Sequence, residues 1–212
     1  MTASFREKLP GVRPSTLVAS ALFVAPFLRD IGAWSGFRKV TRHTFLRALH
    51  ERGAVVLCPG GQAEMCHTHR MFQKGPRTEL VVHARHKGFC KIAIEHGAAV
   101  VPVLALGEAL QLRNLVHMPV LQAYTTRRFR FPFPFWLGGR WGLSPLPSKV
   151  PLVYVVGKPI PPPPGAAPGG PVTPSDVDSL HAAYFASLVE LYRRYRHLHP
   201  HFAAADLVLA YD

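Results

Sequence analysis

The sequence predicts an α/β fold, with a mixed, largely parallel sheet flanked by helices. Two continuous apolar runs, Ala54–Cys58 and Ala99–Leu106, have the character of strands buried on both faces. Between them, His86 to His96 is spaced as a helix. Polar, glycine-containing residues follow each run at its carboxyl end, Pro59-Gly60-Gly61 after the first and Gly107-Glu108 after the second. Open α/β sheets bind ligands at such ends.

Each element has its own local reason. Ser15 to Leu28 reads as a short apolar helix broken near Pro26. Thr41 can cap a helix through Arg52, with Phe45, Leu46 and Leu49 on one face and Gly53 as the stop. The first buried strand follows, then a polar loop from Gln62 to Thr78. Glu79 to His83 reads as a short strand. The helix from His86 turns Phe89, Ile92 and Ala93 inward, sets Lys91 and Glu95 four residues apart, and closes at Gly97. After the strand ending at Leu106, Leu152 to Val156 reads as a third. Pro159 to Pro174 is rich in Pro and Gly and reads as a linker. Ser175 and Asp178 are spaced as a capping box. The long helix behind them carries Val177, Leu180, Tyr184, Leu188, Leu191, Tyr195 and Leu198 on one stripe, with Arg193, Arg194 and Arg196 at its carboxyl end.

Composition bounds the rest. The chain has 212 residues, 48% hydrophobic and 17% charged, which suffices for one domain, taken as 1–212, with a sizeable core. A formal charge of +13 predicts an anionic partner, whether an acidic membrane surface, a polyphosphate ligand or a nucleic acid. No acidic residue lies between Glu108 and Asp176. That stretch holds Arg113, Arg127, Arg128, Arg130, Arg140, Lys149 and Lys158 beside Phe129, Phe131, Phe133, Phe135, Trp136 and Trp141. Cations beside bulky rings suit a lipid headgroup boundary; the plainer reading is a basic loop on the core. Neither an RNP-type strand nor a recognition helix is visible, so nucleic acid is not the expected partner. Cys58, Cys66 and Cys90 are an odd set without C-x-x-C spacing, against a disulfide scaffold. No apolar run is long enough to span a bilayer, and Arg6, Glu7 and Lys8 near Met1 are unlike a signal peptide. Contact with a membrane would be from one leaflet.

Two loops carry candidate chemistry. In Cys58-Pro59-Gly60-Gly61-Gln62-Ala63-Glu64, the glycines permit positive φ and close backbone approach, exposed N–H groups suit an oxyanion, and Glu64 can orient a hydroxyl. A tight turn with a surface Glu is the plainer alternative. Arg85-His86-Lys87-Gly88-Phe89 opens a helix with cations, a setting for an anion that is otherwise unfavourable to the helix dipole. Cys66, His67 and His69 lack the paired cluster of a metal site, so no metal is expected. Cys58 on a buried strand reads as inert packing. His199-Pro200-His201, with Asp206, follows the last helix, where it would sit away from Glu64.

Taken in order, Pro59-Gly60-Gly61-x-x-Glu64, His86-Lys87-Gly88-Phe89-Cys90-Lys91, Gly97-Ala98-Ala99-Val100-Val101-Pro102-Val103 and Gly107-Glu108 resemble the type-two diacylglycerol acyltransferase family, which includes monoacylglycerol and wax-ester acyltransferases. Pro10-Gly11-Val12-Arg13-Pro14 and Val155-Val156-Gly157-Lys158-Pro159-Ile160 are similar to it too. The resemblance implies a glycerolipid-acyltransferase-like fold and direct transfer from acyl-CoA, as co-substrate with no cofactor, to a lipid hydroxyl, with diacylglycerol becoming triacylglycerol. It also implies a membrane surface as partner, at the cytosolic face of the endoplasmic reticulum or at lipid droplets, and is compatible with a homo-oligomer. It implies that the base is the histidine of the family's His-Pro-His-Gly motif; within this chain Glu64, able to orient the acceptor hydroxyl, is the catalytic candidate, and Pro59, Gly60, Gly61, Arg85, His86, Lys87, Gly88, Phe89, Gly107 and Glu108 are the substrate-binding candidates, gathered in one thioester cleft. His86 stands where the family has Arg. The family's His-Pro-His-Gly motif and membrane hairpin lie upstream of Pro10, so the chain is expected to be an amino-terminally truncated domain, slow or inactive alone. The alternative is a non-catalytic, membrane-associated lipid-binding module of the same descent.

Overall fold

The computed structural model describes residues 11–23, 26–61, 64, 79–114, 118, 120–121, 124–125, 128, 137–142, 146–166 and 168–211. The chain forms two compact units, residues 1–61 and 62–212.

In the first unit, β1 (Ser15–Val18) is the middle strand of a parallel sheet, between β2 (Arg38–Lys39) and β3 (Val55–Val56). The apolar helix expected over Ser15 to Leu28 is therefore corrected. Thr16 and Val18 are β-branched and find backbone partners on both sides, which outweighs a short helical pattern. Pro26 does not break a helix but begins one, α1 (Pro26–Trp34), since a fixed φ and a missing N–H suit a first turn. Helix α2 (Arg42–Arg52) is as its caps predict. Thr41 accepts a hydrogen bond from the Thr44 N–H, and Gly53, at φ 68°, donates its N–H to the Leu49 carbonyl. Arg47 and Arg38 both donate to Glu51, holding its carboxyl down to about 2. This network is exposed, so it adds little stability. Strand β3 is parallel as expected but shorter, and Val56 and Cys58 are exposed; the reading of Cys58 as buried packing is corrected. Two paired residues beside a glycine turn are too few to be covered on both faces.

The second unit carries β4 (Glu79–His83), parallel to β9 (Asp206–Ala210) in the register Glu79 to Asp206 through His83 to Ala210. β5 (Val103–Leu106) runs antiparallel to β8 (Val153–Val156), and β6 (Arg113–Asn114) antiparallel to β7 (Leu137–Gly138). Together with the first unit this is a mixed α/β arrangement. Helix α3 (Gly88–Glu95) buries Cys90, Ala93 and Ile94. Burial pushes the Cys90 thiol up to about 12, so this cysteine is inert packing. The short helix α4 (Glu108–Gln111) starts directly after β5, with Gly107 as its cap at φ 105°.

The core is built on α5 (Pro174–Tyr195), whose Tyr184, Phe185, Leu188 and Tyr192 pack with Ala84, Leu104, Leu106 and Phe202. The cap of α5 lies two residues before its expected place. Thr173 accepts from the Asp176 N–H, and Asp176 accepts from the Thr173 N–H, with Pro174 in the first turn. Pro174 decides the register, because it suits a first turn and leaves Ser175 already helical. The expected stripe buries Leu180, Tyr184 and Leu188, but the buried face is wider and ends earlier. Leu198 is exposed and lies past the helix, while His181, Phe185 and Tyr192 are buried. Pro159 to Pro174 is no detached linker. Ile160 bridges Val100, the Gly169 N–H donates to the Glu95 carbonyl, and Val172 and Ala166 pack on the Cys90 cluster.

Gly107 is constrained twice. Its φ is in the left-handed region, and a Cβ there would press into the Pro151 carbonyl oxygen and sit 3.3 Å from His199 Nε2. Backbone strain of ~1–3 kcal/mol and overpacking of similar size act together. Gly107→Ala is expected to lower stability by at least about 2 kcal/mol in urea denaturation; an unchanged midpoint would contradict this packing.

Candidate functional site

The carboxyl end of β4 organises the second unit's polar groups. In a strand, successive N–H groups alternate between the two edges. The Ala84 N–H donates to the Ala210 carbonyl at 2.7 Å on the β9 side, so the His83 N–H faces the other edge. There it donates to Glu64 Oε1 at 3.1 Å. A single backbone hydrogen bond favours the carboxylate, but loss of hydration opposes it and is larger. Burial, with a smaller contribution from the negative charge of Glu108, pushes the Glu64 carboxyl up to about 7.

Glu108 enters from another direction. It begins α4 at the carboxyl end of β5, and its Oε1 accepts the Tyr154 hydroxyl at 2.7 Å. Tyr154 pairs with Ala105 across the β5–β8 ladder, which sets its hydroxyl beside the turn. The structure thus brings Glu64 and Glu108 within electrostatic reach of each other. One carboxyl is partly buried and poised near neutrality; the other is exposed and held by a tyrosine hydroxyl. Carboxyl pairs in unlike environments are the arrangement that acid–base chemistry uses.

The cationic turn is placed differently. Lys87 is the residue before α3, and its Nζ is 2.7 Å from Asp178 Oδ1 on α5. Arg85, His86 and Gly88 are exposed. Phe89 points inward, edge-on to Tyr184 at 5.3 Å, so it packs the core instead of meeting solvent. Pro59, Gly60 and Gly61 close the first unit, with Gly61 at φ 50°.

At the other end of the chain, His199 is buried against Gly107. Its Nδ1 accepts the His201 N–H at 3.2 Å, so Nε2 carries the proton and donates to the Pro151 carbonyl at 3.1 Å. Both ring nitrogens are thereby occupied, and His199 is a structural tie between the carboxyl-terminal segment and the Gly107 turn. His201 is exposed, and Asp206 lies 3.9 Å from Arg196. Cys66, His67 and His69 lie outside the described residues, as do Arg127, Arg130, Phe129, Phe131, Phe133, Phe135 and Trp136. Among the described residues no group of His, Cys, Asp and Glu is placed to hold a metal, and no helix is long and apolar enough to cross a membrane.

The model of the family described as Diacylglycerol acyltransferase matches residues 1–210. The chain belongs to the diacylglycerol acyltransferase family. It is 31% identical over 207 residues to 2-acylglycerol O-acyltransferase 3 of Homo sapiens, covering 91% of this chain and 57% of that protein. It is 30% identical over 209 residues to Diacylglycerol O-acyltransferase 2 of Homo sapiens, covering 90% of this chain and 50% of the relative. Diacylglycerol O-acyltransferase 2A of Umbelopsis ramanniana is 26% identical over 206 residues. The chain thus spans about half the length of the curated relatives it matches. No solved structure matches it.

Sequence reasoning singled out Glu64 and Glu108 in this family member but missed Tyr154 and His181. Tyr154 follows from the β5–β8 register, which no local pattern supplies. His181 had one legible signal: it is a polar residue on the apolar face of a long amphipathic helix.

The raised Glu64 carboxyl has a stability consequence. Its folded value, about 7, lies above the ordinary value of 4.5, so the folded state favours the neutral acid. Stability from this group is complete below about 4.5 and is lost as pH rises through about 7. Glu64→Gln does not titrate and keeps an acceptor for His83. Its stability relative to the wild type is expected to improve by up to about 3 kcal/mol between pH 4.5 and pH 8 in urea denaturation. A difference independent of pH would contradict the assignment.

Proposed function

We propose that this chain carries the acyl-transfer chemistry of its family, moving an acyl group from acyl-CoA to a glycerolipid hydroxyl, diacylglycerol to triacylglycerol, with Glu64 as the general base. The observation that carries the reading is the Glu64 carboxyl: partly buried, fixed by the His83 N–H, and brought to about 7 by desolvation. A base works best when its pKa lies near the working pH, since it is then both ionised and able to hold a proton. In this reading the acceptor hydroxyl gives its proton to Glu64 as its oxygen bonds to the thioester carbonyl carbon. The carbon–sulfur bond then breaks, and the departing thiolate takes that proton from Glu64 to leave as free CoA, which restores the Glu64 carboxylate. Glu108 tunes the base through its charge, and the Tyr154 hydroxyl holds Glu108 in place.

The same reading puts the work at a membrane surface, on the cytosolic face of the endoplasmic reticulum or at a lipid droplet. Its support is the exposed Trp141, with the Arg140 guanidinium stacked 4.8 Å from its ring centre, within an acid-free basic stretch. An amphipathic ring beside a cation suits the boundary between headgroups and acyl chains.

The assay is transfer from oleoyl-CoA to dioleoylglycerol in mixed micelles, measured from pH 5 to pH 9. The wild type is expected to gain activity as pH rises through about 7, where Glu64 ionises. Glu64→Gln should lower kcat/KM by roughly 10²- to 10⁴-fold and abolish that rise. Full activity with an unchanged pH profile in Glu64→Gln would remove Glu64 from the mechanism. Folded wild type that binds oleoyl-CoA without turnover would favour the non-catalytic lipid-binding reading.

A further inference from the structure

One segment of the second unit has no part in the acid–base site: the run Lys158-Pro159-Ile160-Pro161-Pro162-Pro163-Pro164. Proline fixes φ near −65°, and a residue before a proline is pushed to extended ψ. Pro161, Pro162 and Pro163 meet both conditions, so their order alone favours polyproline II geometry. In the structure they are neither helix nor strand. None of them has an N–H to donate. Among the described residues the Pro161 and Pro162 carbonyls accept no hydrogen bond, so the acceptors of this stretch are uncommitted.

The fold holds the run at both ends. Before it, the Gly157 N–H donates to the Pro102 carbonyl at 2.8 Å, and Ile160 exchanges two hydrogen bonds with Val100, at 2.8 and 2.9 Å. After it, the Ala166 N–H donates to the Pro163 carbonyl at 3.2 Å, and the Gly169 N–H to the Glu95 carbonyl at 2.9 Å. Pro168 packs so closely on Gly97 that a Cβ there would lie 2.8 Å from the proline Cγ. Gly165, at φ 94°, turns the chain directly after Pro164. A flexible proline-rich tail loses conformational entropy when it binds; this run has already lost it on folding.

Polyproline II repeats every three residues. Lys158, Pro161 and Pro164 stand three apart, and all are exposed. Pro159 is exposed as well, whereas Ile160, Pro162 and Pro163 are half-buried. The proline run therefore turns one edge outward, and Lys158 continues that edge with a cation. Among the described residues Lys158 makes no ion pair. A strap that only covered the core would need its pinned ends and the packing of Ala166 and Val172. It would need neither four successive prolines nor an unpaired cation in register with them.

We propose that Lys158 to Pro164 is a docking ridge for a protein module of the SH3 type, whose aromatic-lined groove receives Pro161 and Pro164 and whose acidic rim receives Lys158. Aromatic rings pack on the outward proline edge, donors in the groove reach the uncommitted carbonyls, and a carboxylate meets the ammonium. The formal charge of +13 on this chain adds attraction toward an acidic module. The ridge stands on the geometry of the strap and not on Glu64, so it is independent of acyl transfer.

The test screens the full chain against an array of purified SH3 domains and measures the binders by calorimetry. Domains with an acidic rim are expected to bind saturably, and a proline decamer, which occupies the aromatic groove, should displace the chain from them. Pro161→Ala combined with Pro164→Ala should weaken binding at least ~10-fold, and Lys158→Glu by a similar factor. Pro162→Ala, on an inner edge, should stay within ~3-fold of the wild type. No saturable binding to any domain of the array, binding that the decamer does not displace, or binding unchanged in the double variant or in Lys158→Glu overturns the proposal. The wild-type competition decides even if a variant fails to fold. Glu64-dependent transfer in a chain that binds no domain would remove the ridge and leave the acyl-transfer reading standing.

Discussion

The His83 N–H faces the edge of β4 that β9 does not cover, and the Glu64 carboxyl is what satisfies it. An unsatisfied N–H there would cost ~1–3 kcal/mol, and bringing a carboxyl to it costs hydration in turn. For the ionised form of the carboxyl, lost hydration outweighs the His83 hydrogen bond, which is why Glu64 is raised to about 7. One structural need, closing a strand edge, therefore creates a carboxyl able to exchange protons near neutral pH. The next residue, Ala84, joins the same strand end to β9 and to His181. The turn after it carries Lys87 to Asp178. Three separate polar features of the second unit thus depend on where β4 stops.

Long-range pairing sets the rest of the frame. The parallel register of β4 with β9 returns the carboxyl terminus to the strand that holds Glu64. His199 then ties the last segment to Gly107 through Pro151, and Gly107 has room for no side chain. Glu108 follows at once, so its charge is placed by packing, not by the flexibility of its own chain. The family's glycine and acidic positions acquire a physical reading here. Gly107 is a steric requirement, and Glu108 adds a like charge to the desolvation that raises the neighbouring Glu64 carboxyl.

Local signals in the sequence were sufficient where the determinants are local. Thr41 and Gly53 bound α2 because a cap needs only a side-chain oxygen and a residue tolerant of positive φ. The strands at Glu79 to His83 and Leu152 to Val156 are where their β-branched runs put them. Signals failed where the partner is distant. Ser15 to Val18 has too little pattern to reveal two flanking strands, and Pro159 to Pro174 has a loop's composition but is held by Val100, Glu95 and the Cys90 cluster. The cap of α5 was misplaced because Ser175 and Asp178 repeat the spacing of Thr173 and Asp176, and only the proline between the two candidates separates them. For the site, Glu64 and Glu108 were legible as residue types at strand ends. Their mutual proximity, the tyrosine that holds Glu108 and the burial of His181 belong to tertiary packing. No spacing along the chain encodes them.

The central claim is that Glu64 is a partly buried carboxyl held near neutrality at the end of β4. Carbon-13 NMR titration of the Glu64 side-chain carboxyl, assigned by its loss in Glu64→Gln, measures this without reference to any substrate. The account predicts a midpoint near 7, displaced downward when Glu108 is replaced by Gln. A midpoint near the ordinary value of 4.5, unmoved by that replacement, would contradict it.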